Sequence, residues 1–214
     1  EVLKNEEVDI VVRGEGEYST LELMQALEGK TDIRRVRGIS YKDINGVIVN
    51  TPSREAIQNL DDIPFPARHM LPMDRYIKEF KKQFHSGLPG TTMIASRGCP
   101  YNCSFCQPTL RSIFGKRLRL RSPKNVADEM TYLIRRYGVK EIGFHDDTFT
   151  AYRKWVMNVC KEIKQRSLNI KWTCNSRCDV VTKKLLDEMY KAGCILIGFG
   201  VEAGSDEIRN KVLR

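Results

Sequence analysis

The chain has 214 residues, 41% of them hydrophobic, with a formal net charge of +9. That length holds one large domain or a small one plus part of another, with enough apolar residues for a soluble globular core. No apolar run approaches membrane-spanning length, no signal peptide opens the chain, and an odd count of seven cysteines argues against a secreted disulfide framework. The expected compartment is the cytoplasm.

Val8-Asp9-Ile10-Val11-Val12 reads as a buried strand, being short, apolar and β-branched. It runs through Arg13-Gly14-Glu15-Gly16-Glu17 into a helix. Ser19 and Glu22 make a capping box there, and Thr20, Leu23, Met24 and Leu27 make an apolar face that ends at Gly29. The glycine pair is no dinucleotide fingerprint, because the third glycine is missing. A hairpin follows, Val36 to Tyr41 and Val47 to Val49 around Asn45-Gly46. Residues 61–76 carry three prolines and read as a linker.

From Thr91 onward strand and helix alternate. Met93-Ile94-Ala95 is the first strand of this series, Glu141 to Phe144 the second, Ile170 to Cys174 the third and Cys194 to Val201 the fourth. Ser122-Pro123 caps a helix with Val126, Ala127, Met130, Leu133, Ile134 and Tyr137 on one face, closed by Gly138. Trp155, Val156, Val159, Cys160 and Ile163 stripe the next. Thr182 caps a third, with Leu185, Leu186 and Met189 inside and Gly193 at its end, and Ser205 opens another. Repeated β–α units with buried strands predict a parallel sheet with right-handed crossovers, half a barrel or a small doubly wound sheet. Such a piece leaves an unpaired edge after its fourth strand. The chain starts without Met and stops inside an amphipathic helix, so it is expected to be a fragment.

Directly after the first of these strands comes Cys99-Pro100-Tyr101-Asn102-Cys103-Ser104-Phe105-Cys106. Cysteine thiolates are the usual ligands of a 4Fe–4S cluster, and three of them leave one iron open to a small molecule. An electron-transfer ferredoxin fills all four positions, and structural zinc takes four ligands in pairs. A zinc knuckle completed by a distant residue and unrelated buried thiols are the competing readings. Arg111, Lys116, Arg117, Arg119 and Arg121 follow closely. With no aromatic ladder or nucleic-acid motif beside them, they read as a solvated or anion-facing loop, and nucleic acid is disfavoured as a partner.

Ligands of parallel α/β folds gather at the carboxyl ends of the strands. There the sequence places His145-Asp146-Asp147, Asn175-Ser176-Arg177 and Gly198-Phe199-Gly200-Val201-Glu202. Period-two alternation puts Ile142, Phe144 and Asp146 on one face and Gly143, His145 and Asp147 on the other. Trp172 and Cys174 oppose Thr173, Asn175 and Arg177, while Ile197, Phe199 and Val201 oppose Gly198, Gly200 and Glu202. The bulky face suits packing on helices, and the small, polar face suits a closely approaching cofactor.

The CxxxCxxC run, with Phe105 before its third cysteine, resembles the signature of the radical S-adenosylmethionine (SAM) superfamily. FHDDTF (144–149), CNSRCD (174–179) and GFGVEAGS (198–205) resemble the subgroup with an N-terminal cobalamin-binding domain, which includes anaerobic tetrapyrrole cyclases and cobalamin-dependent methyltransferases. The resemblance implies an α/β fold: the first four units of a partial (β/α)6 barrel, preceded by the tail of a Rossmann-like cobalamin-binding domain and a β-hairpin connector. It divides the chain into 1–29, a remnant of the cobalamin domain, 30–76, hairpin and linker, and 77–214, the incomplete radical SAM domain. The histidine loop that would ligate cobalt belongs upstream of Glu1, and the last two barrel strands belong after Arg214.

By the same resemblance, Cys99, Cys103 and Cys106 would hold three irons of a 4Fe–4S cluster, and SAM would chelate the fourth. Phe105 would pack near the adenine. Asp146 or Asp147 would meet the SAM amino group, although the common Gly-Gly-Glu form is absent. Arg177 would pair with the SAM carboxylate, Glu202 would accept from the ribose hydroxyls, and Asn175 completes the cofactor-binding set. Cys178 has no family role and reads as a packing thiol. The implied enzyme is an oxidoreductase or methyltransferase that cleaves SAM reductively to a 5′-deoxyadenosyl radical, for cobalamin-linked methylation or cyclisation of a small molecule. The fragment alone is expected to be inactive. Its electron donor would be a flavodoxin or ferredoxin, and cobalamin would join only in the full-length parent. The alternatives are a non-catalytic iron–sulfur or zinc-binding module and an RNA-modifying radical SAM enzyme.

Overall fold

The computed structural model of the chain describes residues 1–83, 86–106, 108–115 and 117–211. Two compact units emerge, one of residues 1–58 with the helix Pro108–Phe114 and one of residues 59–106 and 117–211.

The first unit is a small antiparallel sheet and a helix. β1 (Ile10–Val12), β2 (Ile39–Lys42) and β3 (Ile48–Asn50) pair in that order. Asp43 accepts hydrogen bonds from the Asn45 and Val47 amides and so closes the hairpin turn. α1 (Gly16–Leu27) begins three residues before the expected cap, with Glu15 as its N-cap. The capping box does not form. Ser19 donates to the Arg37 carbonyl and accepts from Arg54 Nε, and Glu22 pairs with Arg54. A long-range guanidinium has outbid the local backbone for both side chains. The apolar face is also narrower than expected: Leu23 is buried with Val36, Ile39 and Tyr41, while Met24 and Leu27 are exposed. β1 is only half-buried.

The second unit carries the parallel sheet. α2 (Met73–Gln83) precedes β4 (Gly90–Met93), which begins and ends earlier than the expected Met93 to Ala95 strand. Short β5 (Ser96–Arg97) follows. After α3 (Pro108–Phe114) of the first unit comes β6 (Arg119–Leu120), which pairs antiparallel with β5. Then α4 (Pro123–Tyr137), β7 (Glu141–Phe144), α5 (Arg153–Gln165), β8 (Lys171–Ser176), α6 (Lys183–Lys191), β9 (Cys194–Phe199) and α7 (Asp206–Lys211) alternate as the sequence implies. The sheet order β4-β7-β8-β9 is chain order and every pairing is parallel. Residues 212–214, into which the sequence reading carries this last helix, lie outside the described residues.

Local chemistry explains the helix boundaries. Ser122 accepts from the Asn125 amide ahead of Pro123, and Gly138 takes a left-handed φ of +64° at the other end of α4. Thr182 caps α6 through the Leu185 amide. The face expected to be bulky is the one packed on helices. Met93, Ile142, Phe144, Trp172 and Cys174 share one core with Val126, Met130, Leu133, Val156, Val159, Cys160 and Met189. The Cys160 thiol is pushed up to about 12, chiefly by burial. The opposite face carries the small residues Thr92, Gly143 and Thr173 across β4, β7 and β8, and Leu196 then Gly198 on β9. A bulge between Trp172 and Thr173 slips β9 by one residue, after which Asn175 faces Gly198 and Ser176 faces Phe199. Among the described residues β9 pairs only with β8, and it exposes Ile195, Leu196 and Phe199.

The proline-rich stretch before α2 is partly docked. Arg68, 6% exposed, reaches Glu129 of α4 at 2.5 Å and the Thr92 carbonyl of β4 at 3.2 Å. Arg121 approaches the other Glu129 oxygen at 2.5 Å, so two guanidiniums enclose one carboxylate that is 1% exposed. A buried ion group adds little net stability, but removing one member strands the others. Glu129→Gln should therefore lower the unfolding free energy by about 3–5 kcal/mol in urea titrations. A loss below about 1 kcal/mol would mean that water solvates Arg68 and Arg121 well enough without the carboxylate.

Candidate functional site at the carboxyl edge of the sheet

The cysteine loop is launched by a buried carboxylate. Asp146, just past β7 and 1% exposed, accepts from the Ala95 amide at 3.2 Å on both oxygens and from the Ser96 hydroxyl. The His145 amide donates to the Met93 carbonyl at 2.9 Å, so β4 and β7 remain tied beyond their ladder. β5 follows, and Gly98 turns the chain at φ +82°, a left-handed conformation that Cβ-bearing residues rarely take. Cys99 comes next, and the loop tightens where the Cys106 amide donates to the Cys103 carbonyl at 3.2 Å.

Cys99 and Cys103 are half-buried, Cys106 is exposed, and all three are free thiols. Cys99 Sγ lies 3.6 Å from Oγ1 of the buried Thr148. Arg177 Nη1 donates to Cys103 Sγ at 3.1 Å. Sheet-borne polar groups thus meet two of the three sulfurs, an environment suited to thiolates that bind metal. Among the described residues no three His, Cys, Asp or Glu side chains yet converge at metal-binding distance. Phe105 is 44% exposed on the same loop.

Arg177 follows β8 and meets three different partners. Its Nε and Nη2 grip Asp179 at 3.0 and 2.7 Å, and its guanidinium lies 4.2 Å from the centroid of the Tyr101 ring. Asp179 raises the Arg177 pKa through the side-chain hydrogen bond, and Arg177 lowers that of Asp179 in return. Burial raises the Tyr101 pKa.

The two aspartates divide. Asp146 belongs to the helix-packed face and all of its contacts are internal; Asp147 is exposed, with its carboxyl pKa raised by desolvation. Asn175 is exposed on the small-residue face, where a Cβ at Gly198 would sit 2.7 Å from its Oδ1. Glu202 is exposed, takes a left-handed φ of +65°, and folds its carboxylate back over Gly200. Cys178 is exposed, not the packing thiol expected from the sequence. The basic run is not a solvated patch either: Arg119 is 5% exposed, Arg121 is ion-paired with Glu129, and Arg117 remains exposed. Lys116 lies outside the described residues.

Beneath the strand ends sit four aromatic rings. Phe149 packs, tilted or edge-on, against Phe144 at 4.6 Å, Trp155 at 5.1 Å and Trp172 at 5.4 Å. The two phenylalanines of FHDDTF are therefore footings that hold the polar residues between them. Sequence reasoning missed Ser96, Tyr101, Thr148 and Asp179. Only Asp179 carried a signal, as an acid two residues from an arginine.

A family model for the radical SAM superfamily matches residues 93–214. The chain is 42% identical over 201 residues to an uncharacterized methyltransferase of Pyrococcus horikoshii, PH0819, covering 94% of this chain and 42% of that protein. It is 34% identical over 207 residues to an anaerobic magnesium-protoporphyrin IX monomethyl ester cyclase of Rubrivivax gelatinosus, covering 92% of this chain and 35% of that one. The chain thus spans less than half the length of these relatives. Its fold matches the cobalamin-dependent S-adenosylmethionine radical enzyme OxsB, solved with aqua-cobalamin and S-adenosylmethionine bound. The TM-score is 0.75 and the identity 22%, over 94% of this chain and 29% of that one.

Burial raises the Asp146 pKa from 3.8 to about 6, against the pull of its hydrogen bonds. The folded chain therefore keeps this proton to a higher pH than the unfolded chain does. The contribution of Asp146 to stability is greatest below about pH 4 and declines by about 3 kcal/mol as pH rises through 6. Asp146→Asn should flatten that part of the stability profile, as read by denaturant titrations at stepped pH. An unchanged slope between the two values would place the titrating group elsewhere.

Proposed function

The chain belongs to the radical SAM superfamily, and from that premise we propose that it is the cluster- and SAM-binding part of an enzyme that methylates or cyclises a small molecule. The single observation that carries the reading is three free thiols on one loop, anchored by Asp146 at the carboxyl edge of a parallel sheet. When bound, a 4Fe–4S cluster supplies one electron to the SAM sulfonium, releasing methionine and a 5′-deoxyadenosyl radical.

The chain's own residues would hold and shield these groups. Cys99, Cys103 and Cys106 would be the thiolate ligands. Asp147, exposed where Asp146 is spent, is our choice for the SAM amino group. Asn175 and Gly198 would leave room for SAM on the small-residue face, Glu202 would accept from its ribose, and Phe105 would cover its adenine. The aromatic floor keeps water from below.

In the intact protein, residues 77–214 would be the radical SAM part, 30–76 a hairpin connector and 1–29 the tail of a cobalamin-binding domain. A methyltransferase and a cyclase among the relatives favour methylation or cyclisation. Among the described residues no helix is long and apolar enough to cross a membrane. A cytoplasmic setting would keep the thiols reduced and supply a flavodoxin or ferredoxin as electron donor.

Anaerobic reconstitution with iron and sulfide tests the reading. Wild-type chain should gain the broad absorption of a 4Fe–4S cluster, near about 400 nm, and SAM should change the EPR signal of its reduced form. Cys103→Ala should lose that SAM-responsive cluster and keep the apo fold by circular dichroism, because the loop lies outside the core. Cys160→Ala should keep the cluster and cost about 1 kcal/mol of stability, since that thiol is packed in α5. A colourless wild-type chain holding one zinc ion would overturn the proposal.

A further inference from the structure

Resting on that reading, we infer that Arg177 is a positioning residue: clamped by Asp179 and stacked on Tyr101, it holds the cysteine loop and donates to the Cys103 sulfur. The sequence expectation gave Arg177 to the SAM carboxylate, which a guanidinium grips best along a two-nitrogen edge. In the structure the Nε–Nη2 edge already grips Asp179, at 3.0 and 2.7 Å. Nη1 is turned to Cys103 Sγ at 3.1 Å, and Cζ lies over the Tyr101 ring, 4.2 Å from its centroid. Three contacts of different kinds therefore fix one side chain, and two of them land on the Cys99–Cys106 loop. Asp179, two residues along the same strand exit, sets the angle of the fork. Thr148, 3.6 Å from Cys99 Sγ, is a second polar contact from the sheet to the loop.

The consequence is both mechanical and electronic. Before metal loading, the clamp fixes where Cys103 points. After loading, a cation that donates to a ligand sulfur favours the form of the cluster carrying one more electron, because that form is more negative. Arg177 keeps its proton throughout, so the added electron is the only change.

The test uses the 214-residue chain with Arg177→Met, Arg177→Lys and Asp179→Asn. Amide hydrogen exchange of residues 99–106 is compared before iron is added. The one-electron reduction potential after reconstitution is read by EPR in dithionite titrations with mediators. Arg177→Met should speed exchange across the loop and move the potential to more negative values. Arg177→Lys should retain part of the potential, through its charge, yet lose the loop protection, because it has neither the fork nor the flat face. Asp179→Asn should loosen the loop to a lesser degree.

If Arg177→Met leaves loop exchange and potential at wild-type values while the SAM response of the cluster is lost, Arg177 contacts SAM directly and the inference is overturned. If the wild-type chain assembles no cluster, the proposed function fails, and loop exchange in Arg177→Met still decides whether the clamp exists.

Discussion

One carboxylate inside the sheet sets the rest of the site in place. Asp146 lies where β7 ends, on the face turned toward the helices, and takes hydrogen bonds from the backbone and side chain of the residues that leave β4. Ionised carboxylates resist such surroundings, and the upward pull on its pKa is the sign of that cost. The return is geometric. With Ala95 and Ser96 held, the path through β5 and Gly98 to Cys99 has little freedom, so the first thiol leaves the sheet at a fixed point. Thr148, two residues past Asp146, then meets that thiol, so one turn of chain governs both the launch and the reception of the loop.

The same economy runs through the arginines. The chain carries a formal charge of +9, yet the guanidiniums nearest the loop are largely committed inward. Arg121 serves Glu129, the Asn125 side chain and the Ile94 carbonyl, while Arg68 pins the proline-rich stretch to the same Glu129. Arg177 is held by Asp179. Beside the loop, net charge is therefore a poor guide, because Arg68 and Arg121, which look free in the sequence, are used as internal struts.

The strand–helix alternation was legible because buried parallel strands are plain apolar runs and because Ser122-Pro123, Gly138 and Thr182 act locally. The faces were legible too, since alternation had already placed Asp146 with Ile142 and Phe144. What alternation could not supply was the meaning of that placement: a carboxylate on the helix-packed face is occupied by its own chain. The capping box at Ser19 and Glu22 failed because Arg54, over 30 residues away, competes for both. The first parallel strand was read too late because Ala95, although buried in the core, lies past the end of the β4–β7 ladder and gives its amide to the Asp146 side chain. Partners chosen across such separations leave no periodic trace.

The aromatic floor has an optical consequence. The chain has two tryptophans, Trp155 and Trp172, and both stand in the ring cluster under the strand ends, each with its indole N–H bound to a backbone carbonyl. Every photon of indole emission therefore originates from one ring cluster, whose Phe149 directly follows the Thr148 that meets Cys99. A 4Fe–4S cluster held by the thiols of the cysteine loop would absorb across that emission and quench it, so the intrinsic fluorescence of the unlabelled chain would gauge how the loop is filled.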